Sequence, residues 1–229
     1  MSMPFNLTDI VDSFRAVVGT FSFRRDNTPI DSLDALEHFV ATRAAFVAQK
    51  TLYGYLKTRI GTRYPRVFDD EIFVGSINIA KFHVFAACLS DLAIYAVATA
   101  LQNRDVPDAI GCELAMRSFR RGLDDNSDDV PAEFNVDEST RTFAARLRVT
   151  DWTSGALHRA NFSESPNALL RWAPIADHLK EEDAEIVQNS IRFAWRDVRE
   201  RFQRRLVEED VLADCKRLAA LSLEGDAHD

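Results

Sequence analysis

The sequence is poor in the residues that interrupt regular structure. Its 229 residues include eight glycines and seven prolines, and these two residue types mark most tight turns. So few of them favour helices joined by modest loops. The three cysteines, Cys88, Cys112 and Cys215, are far apart and form no Cys-x-x-Cys pair, which excludes a disulfide framework and a structural zinc site. We therefore expect a reducing, cytoplasmic compartment.

The familiar motifs of catalysis and cofactor binding are also missing. The chain has no Gly-x-Ser-x-Gly elbow, no Glu-x-x-His pair and no phosphate-loop or dinucleotide fingerprint. An acidic stretch begins like an EF-hand loop, but Asp129 stands where glycine is required and Asn135 where glutamate is required. We therefore predict no cofactor and no metal site, which weighs against an enzyme.

Charge and composition further restrict the class of protein and the partners that it can have. The formal net charge of −8 makes nucleic acid a poor partner, because phosphate-binding proteins usually present a basic face. The N-terminus, MSMPFNLTDIVDSFRAVVG, lacks the basic and apolar regions of a signal peptide. Apolar and charged contents of 46% and 28% are ordinary for a globular protein. The sequence predicts a single domain over residues 1–229.

The longest apolar run extends from Phe82 to Leu101. It is interrupted only by the polar residues His83, Ser90, Asp91 and Thr99. About 20 apolar residues are enough to cross a bilayer, but an aspartate at the bilayer centre costs about 2.5–3.5 kcal/mol on insertion scales. A helix that is apolar on all sides is otherwise buried by its neighbours. We therefore expect no integral membrane span, and a central core helix over about residues 70–102.

Helical periodicity predicts the elements around this core. Phe39, Phe46, Tyr53 and Ile60 recur every seven residues, so residues 33–60 form a helix that we expect to pair antiparallel with the central one. Further helices are predicted from Pro107 to Gly122, from Ser165, over residues 181–206 and over residues 210–221. The pair Ser165-Pro166 predicts that Ser165 caps its helix, because proline is favoured at the first helical position. With a short amphipathic helix in residues 1–23, the sequence predicts an all-α, single-domain bundle of about eight helices.

One region is harder to assign. Residues 124–140 are acidic and predict an exposed loop. Residues 143–149 alternate as a strand would, but they also suit a helix capped by Ser139. Because few other segments could pair with a strand, the helix is favoured.

Two features suggest a surface for partners. In residues 1–23, Phe14 and Phe21 share one side with Ile10, Val11, Val17 and Val18, which predicts an arm that docks on a partner or a second copy. Arg192, Arg196 and Arg199 lie along the helix at 181–206 and either form a solvated, salt-bridged surface or meet an acidic partner.

His83, Ser90 and Asp91 are the candidate catalytic residues if the protein is an enzyme. Their types are those of a hydrolase triad, but seven residues of helix separate His83 from Ser90 by about 10.5 Å, whereas a Ser–His hydrogen bond needs about 3 Å. Any catalytic partner must come from another helix. The alternative is that these groups are buried, satisfied and structural.

The sequence therefore favours a soluble helical binding protein, an adaptor, assembly factor or regulatory module that contacts another protein or a second copy. A hydrolase with a pocket around His83, Ser90 and Asp91 is one alternative. An apolar-ligand or lipid-binding protein, with a small molecule along the alanine-rich helix, is the other.

Overall fold

The computed structural model of the protein describes residues 27–102, 106–152 and 162–225. Within these ranges the chain is helical, and the only extended pairing is a parallel bridge between Ile30 and Leu206. The helices are α1 (Leu33–Ile60), α2 (Glu71–Ala100), α3 (Asp108–Asp124), α4 (Val136–Arg148), α5 (Glu164–Trp172), α6 (Asp177–Arg205) and α7 (Glu208–Gly225). The all-α prediction is confirmed. The predicted helix in residues 1–23 lies outside the described residues.

Helix α2 is the core of the bundle. Its start is fixed by Asp70, whose carboxylate accepts hydrogen bonds from the amides of Ile72 and Phe73 at 3.0 and 3.2 Å. Every residue from Cys88 to Ala100 is buried, and α1, α3 and α5 pack around it. Among the described residues α2 is the one helix long and apolar enough to cross a membrane, but packed protein encloses its C-terminal half.

Helices α1 and α2 form the predicted hairpin. A 3-10 segment, Gly61–Asp69, joins them, and Gly61 adopts a positive φ of 62° at the end of α1, where glycine carries no Cβ penalty. The two helices run antiparallel, because Leu33 and Ala100 line one crevice while Ala48 and Phe82 line another.

Ion pairs fasten α1 to its neighbours. Glu37 is buried, with 4% of its surface exposed, and its carboxylate lies 3.1 Å from Arg117 and 3.6 Å from Arg121 of α3. At the other end of α1, Arg59 pairs with Asp183 of α6. A carboxylate as deeply buried as that of Glu37 requires such partners, so these contacts fix the position of α1.

The region after α3 differs from the prediction in its boundaries. The exposed acidic loop is shorter than residues 124–140, because residues 136–140 belong to α4 and Phe134 is buried. Helix α4 is capped by Asn135, whose side chain accepts from the Glu138 amide at 2.8 Å. The predicted cap, Ser139, lies inside the first turn. The preference for helix over residues 143–149 is confirmed, since α4 continues to Arg148.

A glycine allows α3 to approach the core helix closely. A Cβ atom placed on Gly122 would lie 2.5 and 2.8 Å from the two methyl carbons of Leu89. Leu89 is fully buried, so its side chain has little room to move aside. The contact therefore depends on the missing side chain at position 122.

We expect Gly122→Ala to destabilise the protein. Overpacking a core costs about 1–3 kcal/mol, which exceeds the gain of about 1 kcal/mol from the better helix propensity of alanine. In a Leu89→Ala background the space is free, and the same substitution should raise the free energy of unfolding. Urea unfolding followed by circular dichroism measures both effects. An equal effect of Gly122→Ala in the two backgrounds would contradict the close contact.

Candidate functional site

An open cleft of about 580 Å³ lies between α2, α4 and α5. Its floor is formed by four residues of the core helix, His83, Ala86, Ala87 and Ser90. These positions are three, four and seven apart and therefore share one helix face. Helices α4 and α5 form the two walls. We call this cleft the groove.

His83 forms an aromatic surface at one end of the groove. Its ring stacks on Trp172 with the ring centroids 3.4 Å apart and the planes 1° from parallel, and it meets the Phe134 ring edge-on at 5.1 Å. Burial and, secondarily, the charge of Arg171 lower the pKa of His83 to about 4, against the opposing effect of Glu138. The imidazole is therefore neutral at physiological pH.

Asp91 lies behind the other end of the groove and is fully buried. Its carboxylate is 2.8 Å from the Arg146 guanidinium and accepts hydrogen bonds from the Ser165 hydroxyl at 2.6 Å and the Ser165 amide at 2.8 Å. The Glu164 amide donates to it at 3.3 Å. Because α5 begins at Glu164, Asp91 caps the positive end of this helix from across the bundle.

This arrangement corrects the sequence assignment of Ser165. The Ser-Pro pair predicted that Ser165 caps α5, but Ser165 lies in the first turn of the helix and is fully buried. The residue at the cap position, Ser163, makes no side-chain capping bond. Asp91, 74 residues earlier, supplies the acceptor instead.

The Asp91 carboxylate is the centre of a network that joins four helices. Trp195 of α6 donates its indole N–H to the Ser165 hydroxyl at 2.9 Å, and Arg146 of α4 donates to the Ser90 hydroxyl at 2.6 Å. Burial raises the pKa of Asp91 to about 6, although Arg146 and Ser165 act in the opposite direction. The carboxylate is therefore ionised at neutral pH, paired with Arg146.

Of the three candidate catalytic residues, Ser90 and Asp91 contact the same nitrogen of Arg146, whereas His83 is not brought to either of them. His83 stacks on Trp172, Ser90 accepts a hydrogen bond from Arg146, and Asp91 is enclosed by the network. Nearby Cys88 is fully buried, and burial raises the pKa of its thiol well above the usual value, so it is no thiolate nucleophile. Each candidate group therefore has a structural contact with a neighbouring helix.

The groove lining is neutral in the middle and charged at its ends. Between the ends lie methyl, hydroxyl and amide groups from Ala86, Ala87, Ser139, Thr142, Asn167 and Ala168. Three glutamates, Glu133, Glu138 and Glu164, stand against two arginines, Arg146 and Arg171. Because Arg146 is paired with Asp91, the lining carries an excess of negative charge.

The predicted binding residues of α6 contact their own helix or its close neighbours. Arg192 donates to Asn189 and Gln188 at 3.3 and 3.4 Å, and Arg196 lies over the exposed Phe193 ring at 5.7 Å. Arg199 lies over the Phe162 ring at 5.5 Å. Arg192 and Arg196 are exposed, whereas Arg199 is half-buried. Phe14 and Phe21 lie outside the described residues.

A second cavity bears on the apolar-ligand alternative. It measures about 230 Å³ and is lined by α1 methyl groups together with Phe82 and Phe85. Its rim is polar, however, with Lys81, Asp125 and Asp129.

Among the described residues no three His, Cys, Asp or Glu side chains lie close enough to hold a metal ion.

Sequence reasoning found His83, Ser90 and Asp91 but missed their partners. Trp172, Arg146 and Ser165 belong to other helices, and no short-range signal in the sequence connects them to α2.

Comparison with known proteins finds no matching family, no matching curated protein and no matching solved structure.

We expect Asp91→Asn to lower the free energy of unfolding by about 3 kcal/mol or more at neutral pH, because Arg146 loses its counter-charge in a buried site. In Asp91→Asn/Arg146→Met no unpaired charge remains, so part of the stability should return. Chemical denaturation of the two single variants and the double variant measures the coupling. Strictly additive losses would show that the two groups do not depend on each other.

We expect His83 to make the protein acid-sensitive. Its pKa in the folded state, about 4, is below the ordinary 6.5, so the folded protein binds a proton less readily than the unfolded chain. The stability that the neutral ring provides is present above about pH 6.5 and is lost as the pH falls towards 4.

His83→Phe provides the matched comparison, because phenylalanine retains a ring against Trp172 and cannot titrate. The melting temperature of the wild type, relative to this variant, should fall as the pH is lowered from about 7 to about 4. A difference that stays constant over this range would refute the shift.

Proposed function

We propose that the protein is a helical binding protein, an adaptor, assembly factor or regulatory module, whose groove receives an amphipathic helix from a partner protein. The observation that carries this proposal is an open strip along the core helix. From Leu92 to Ala100 every residue of α2 is buried. On the preceding turns His83 and Ala87 are half-buried, and together with the buried Ala86 and Ser90 they form the floor of a cleft between two walls.

The shape of the groove suits a helix. The floor residues span two helical turns, about 10.5 Å along the axis. The two alanines at its centre have short side chains, so a neighbouring backbone could approach closely. Insertion of an amphipathic helix into such a groove is a recurrent mode of peptide recognition, with anchors at i, i+3, i+4 and i+7.

The charges of the groove indicate the chemistry of the partner. Glu133, Glu138 and Glu164 are exposed around the lining. Lysine or arginine side chains beside the apolar face of an incoming helix would meet these carboxylates. Complementary charges of this kind mainly accelerate association and exclude wrong partners. We therefore propose a partner helix with basic flanks.

Binding accounts for the groove better than catalysis does. A general base must reach its substrate and be deprotonated at the working pH. His83 is deprotonated, but it is held flat against Trp172, while Asp91 and Cys88 are sealed in the core. These residues do not form the pairing of a nucleophile with an adjacent base that covalent catalysis requires.

In this proposal the protein acts in the cytoplasm.

We expect Ala87→Glu to abolish partner binding, because it places a long charged side chain on the floor of the groove. Asn78→Glu is the matched control, since Asn78 is exposed on the opposite side of α2. Affinity capture from a cell extract with the wild type and both variants, followed by mass spectrometry, should return proteins that Ala87→Glu loses at least about tenfold and Asn78→Glu retains. A partner set unaffected by Ala87→Glu would refute the groove as the site.

A further inference from the structure

We propose that the outward face of α6 binds the same face of a second copy of this chain, with the two helices antiparallel and centred on Asn189. We call this surface the α6 face; its residues are Glu182, Glu185, Ile186, Asn189, Arg192, Phe193 and Arg196. The inference goes beyond the proposed function and does not depend on it, since the described lining of the groove contains no residue of α6.

The packing of α6 determines which of its sides is free. Its buried side chains recur three and four residues apart and hold one side of the helix against the bundle: Val187, Ile191, Ala194, Val198 and Phe202. Successive residues of a helix are about 100° apart, so Glu182, Asn189 and Arg196 fall on the opposite side. Glu182 and Arg196 are exposed and Asn189 is half-buried. This side of α6 is therefore available to a partner.

Two large apolar side chains of the α6 face remain in solvent. Ile186 is 71% exposed and Phe193 is 65% exposed. They are seven residues apart and therefore lie close to one line along the helix. Ile186 is three residues before Asn189 and Phe193 is four residues after it. In an antiparallel pair centred on Asn189, Ile186 of each copy would pack against Phe193 of the other, and aromatic anchors of this kind dominate many interfaces.

The charge of α6 changes sign at its middle. Residues 177–187 contain five carboxylates and one lysine, and residues 192–205 contain six arginines and two carboxylates, while residues 188–191 are uncharged. With His178 neutral, the first half has a formal charge of −4 and the second half one of +4. An antiparallel pair places each acidic half against a basic half, whereas a parallel pair would place like charges together. The helix is thus complementary to itself in one orientation.

The spacing of the charges sets the register. Glu182 and Arg196 are each seven residues from Asn189, while Glu185 is four and Arg192 three residues from it. All four charged side chains are exposed. About a two-fold axis at Asn189, Glu182 of one copy would lie opposite Arg196 of the other, and Glu185 close to Arg192. The two Asn189 side chains would meet at the axis, and a polar pair at such a position fixes register.

The contacts that these charges make within the chain are easily exchanged. Arg192 donates to neutral side chains of its own helix at 3.3 and 3.4 Å. Arg196 lies 3.9 Å from Glu200, and more than half of each side chain is exposed. Glu182 lies 3.8 Å from Arg59 and is 68% exposed. Exposed ion pairs of this kind contribute little to stability, so a second copy can replace or extend them.

The size of the α6 face predicts a weak dimer. From Glu182 to Arg196 the helix is about 21 Å long. A standard interface buries about 800 Å² on each partner, and two helices of this length bury less. We therefore expect a dissociation constant of about 1–100 µM. It should rise with salt concentration, because exposed charges are screened.

Sedimentation of the full-length chain over about 1–300 µM tests the proposal. The wild type should pass reversibly from the 25.9 kDa monomer to a dimer. Phe193→Asp should weaken the dimer at least about tenfold, because it places a carboxylate in the apolar contact. Val149→Asp is the matched control: Val149 is 82% exposed and lies outside α6, so this variant should dimerise as the wild type does.

Three results of this experiment would overturn the proposal. The wild type could remain monomeric at every concentration, which would leave the α6 face to a different protein. Phe193→Asp could leave a dimer intact, or the two aspartate variants could weaken it equally, and either result would place the contact elsewhere on the chain.

An exchange of charges provides a test that misfolding of one variant cannot imitate. Arg192→Glu/Arg196→Glu gives the α6 face acidic groups at both ends, and Glu182→Arg/Glu185→Arg gives it basic groups at both ends. Each variant alone should dimerise at least about tenfold more weakly than the wild type. An equimolar mixture should form a mixed dimer of near wild-type affinity, because opposite charges face each other again at both ends. A mixture that stays monomeric would contradict the proposed contact.

Cysteine cross-linking tests the orientation and the register. Asn189→Cys should form a disulfide between two copies, because position 189 lies on the axis. Glu182→Cys is the control, since its two copies would be about 21 Å apart and a disulfide requires Cα atoms within about 7 Å. The wild type, whose three cysteines are buried or half-buried, gives the background. Equal cross-linking of the two variants, read on a non-reducing gel, would refute the antiparallel pairing centred on Asn189.

Discussion

The groove depends on one buried charge. Asp91 belongs to the helix around which the bundle is packed, and its carboxylate accepts from Arg146 of α4 and from the first amides of α5. Removing a carboxylate from water costs several kcal/mol, and only close partners of good geometry compensate for it. Here a guanidinium, a hydroxyl and two amides surround the carboxylate. Both walls of the groove are therefore positioned by the same group, and their spacing follows from it.

The two ends of the groove are held by different kinds of interaction. At the Ser90 end, charge and hydrogen bonds hold Arg146, Ser165 and Trp195 in fixed directions. At the His83 end the contact is between flat rings, which has little directional preference along the ring plane. If the groove binds a partner helix as proposed, the Ser90 end would set the register of that helix and the His83 end would present an adaptable apolar surface. Chemistry on a small substrate would instead require several fixed polar groups at one point.

Much of the architecture follows from local patterns in the sequence. The heptad spacing from Phe39 to Ile60 predicted α1, and the apolar run predicted the buried core helix. The cap assignments failed for two reasons, a neighbouring residue that caps α4 better and a distant side chain that caps α5. Ser139 and Ser165 have the composition of helix caps, but Asn135 and the distant Asp91 perform those roles. Sequence reasoning also placed His83 and Ser90 on one face, yet it could not place Trp172 or Arg146 opposite them, because these contacts join segments more than 50 residues apart.

The bridge between Ile30 and Leu206 has a mechanical consequence. It clips the start of the described chain to the joint between α6 and α7. Asp214 of α7 in turn accepts from the Leu33 amide at 3.1 Å, at the start of α1. Tension applied to the leading residues would therefore not unravel α1 from its tip. The force would be transmitted to the junction between α6 and α7, so that α7 would be displaced before α1 unfolds.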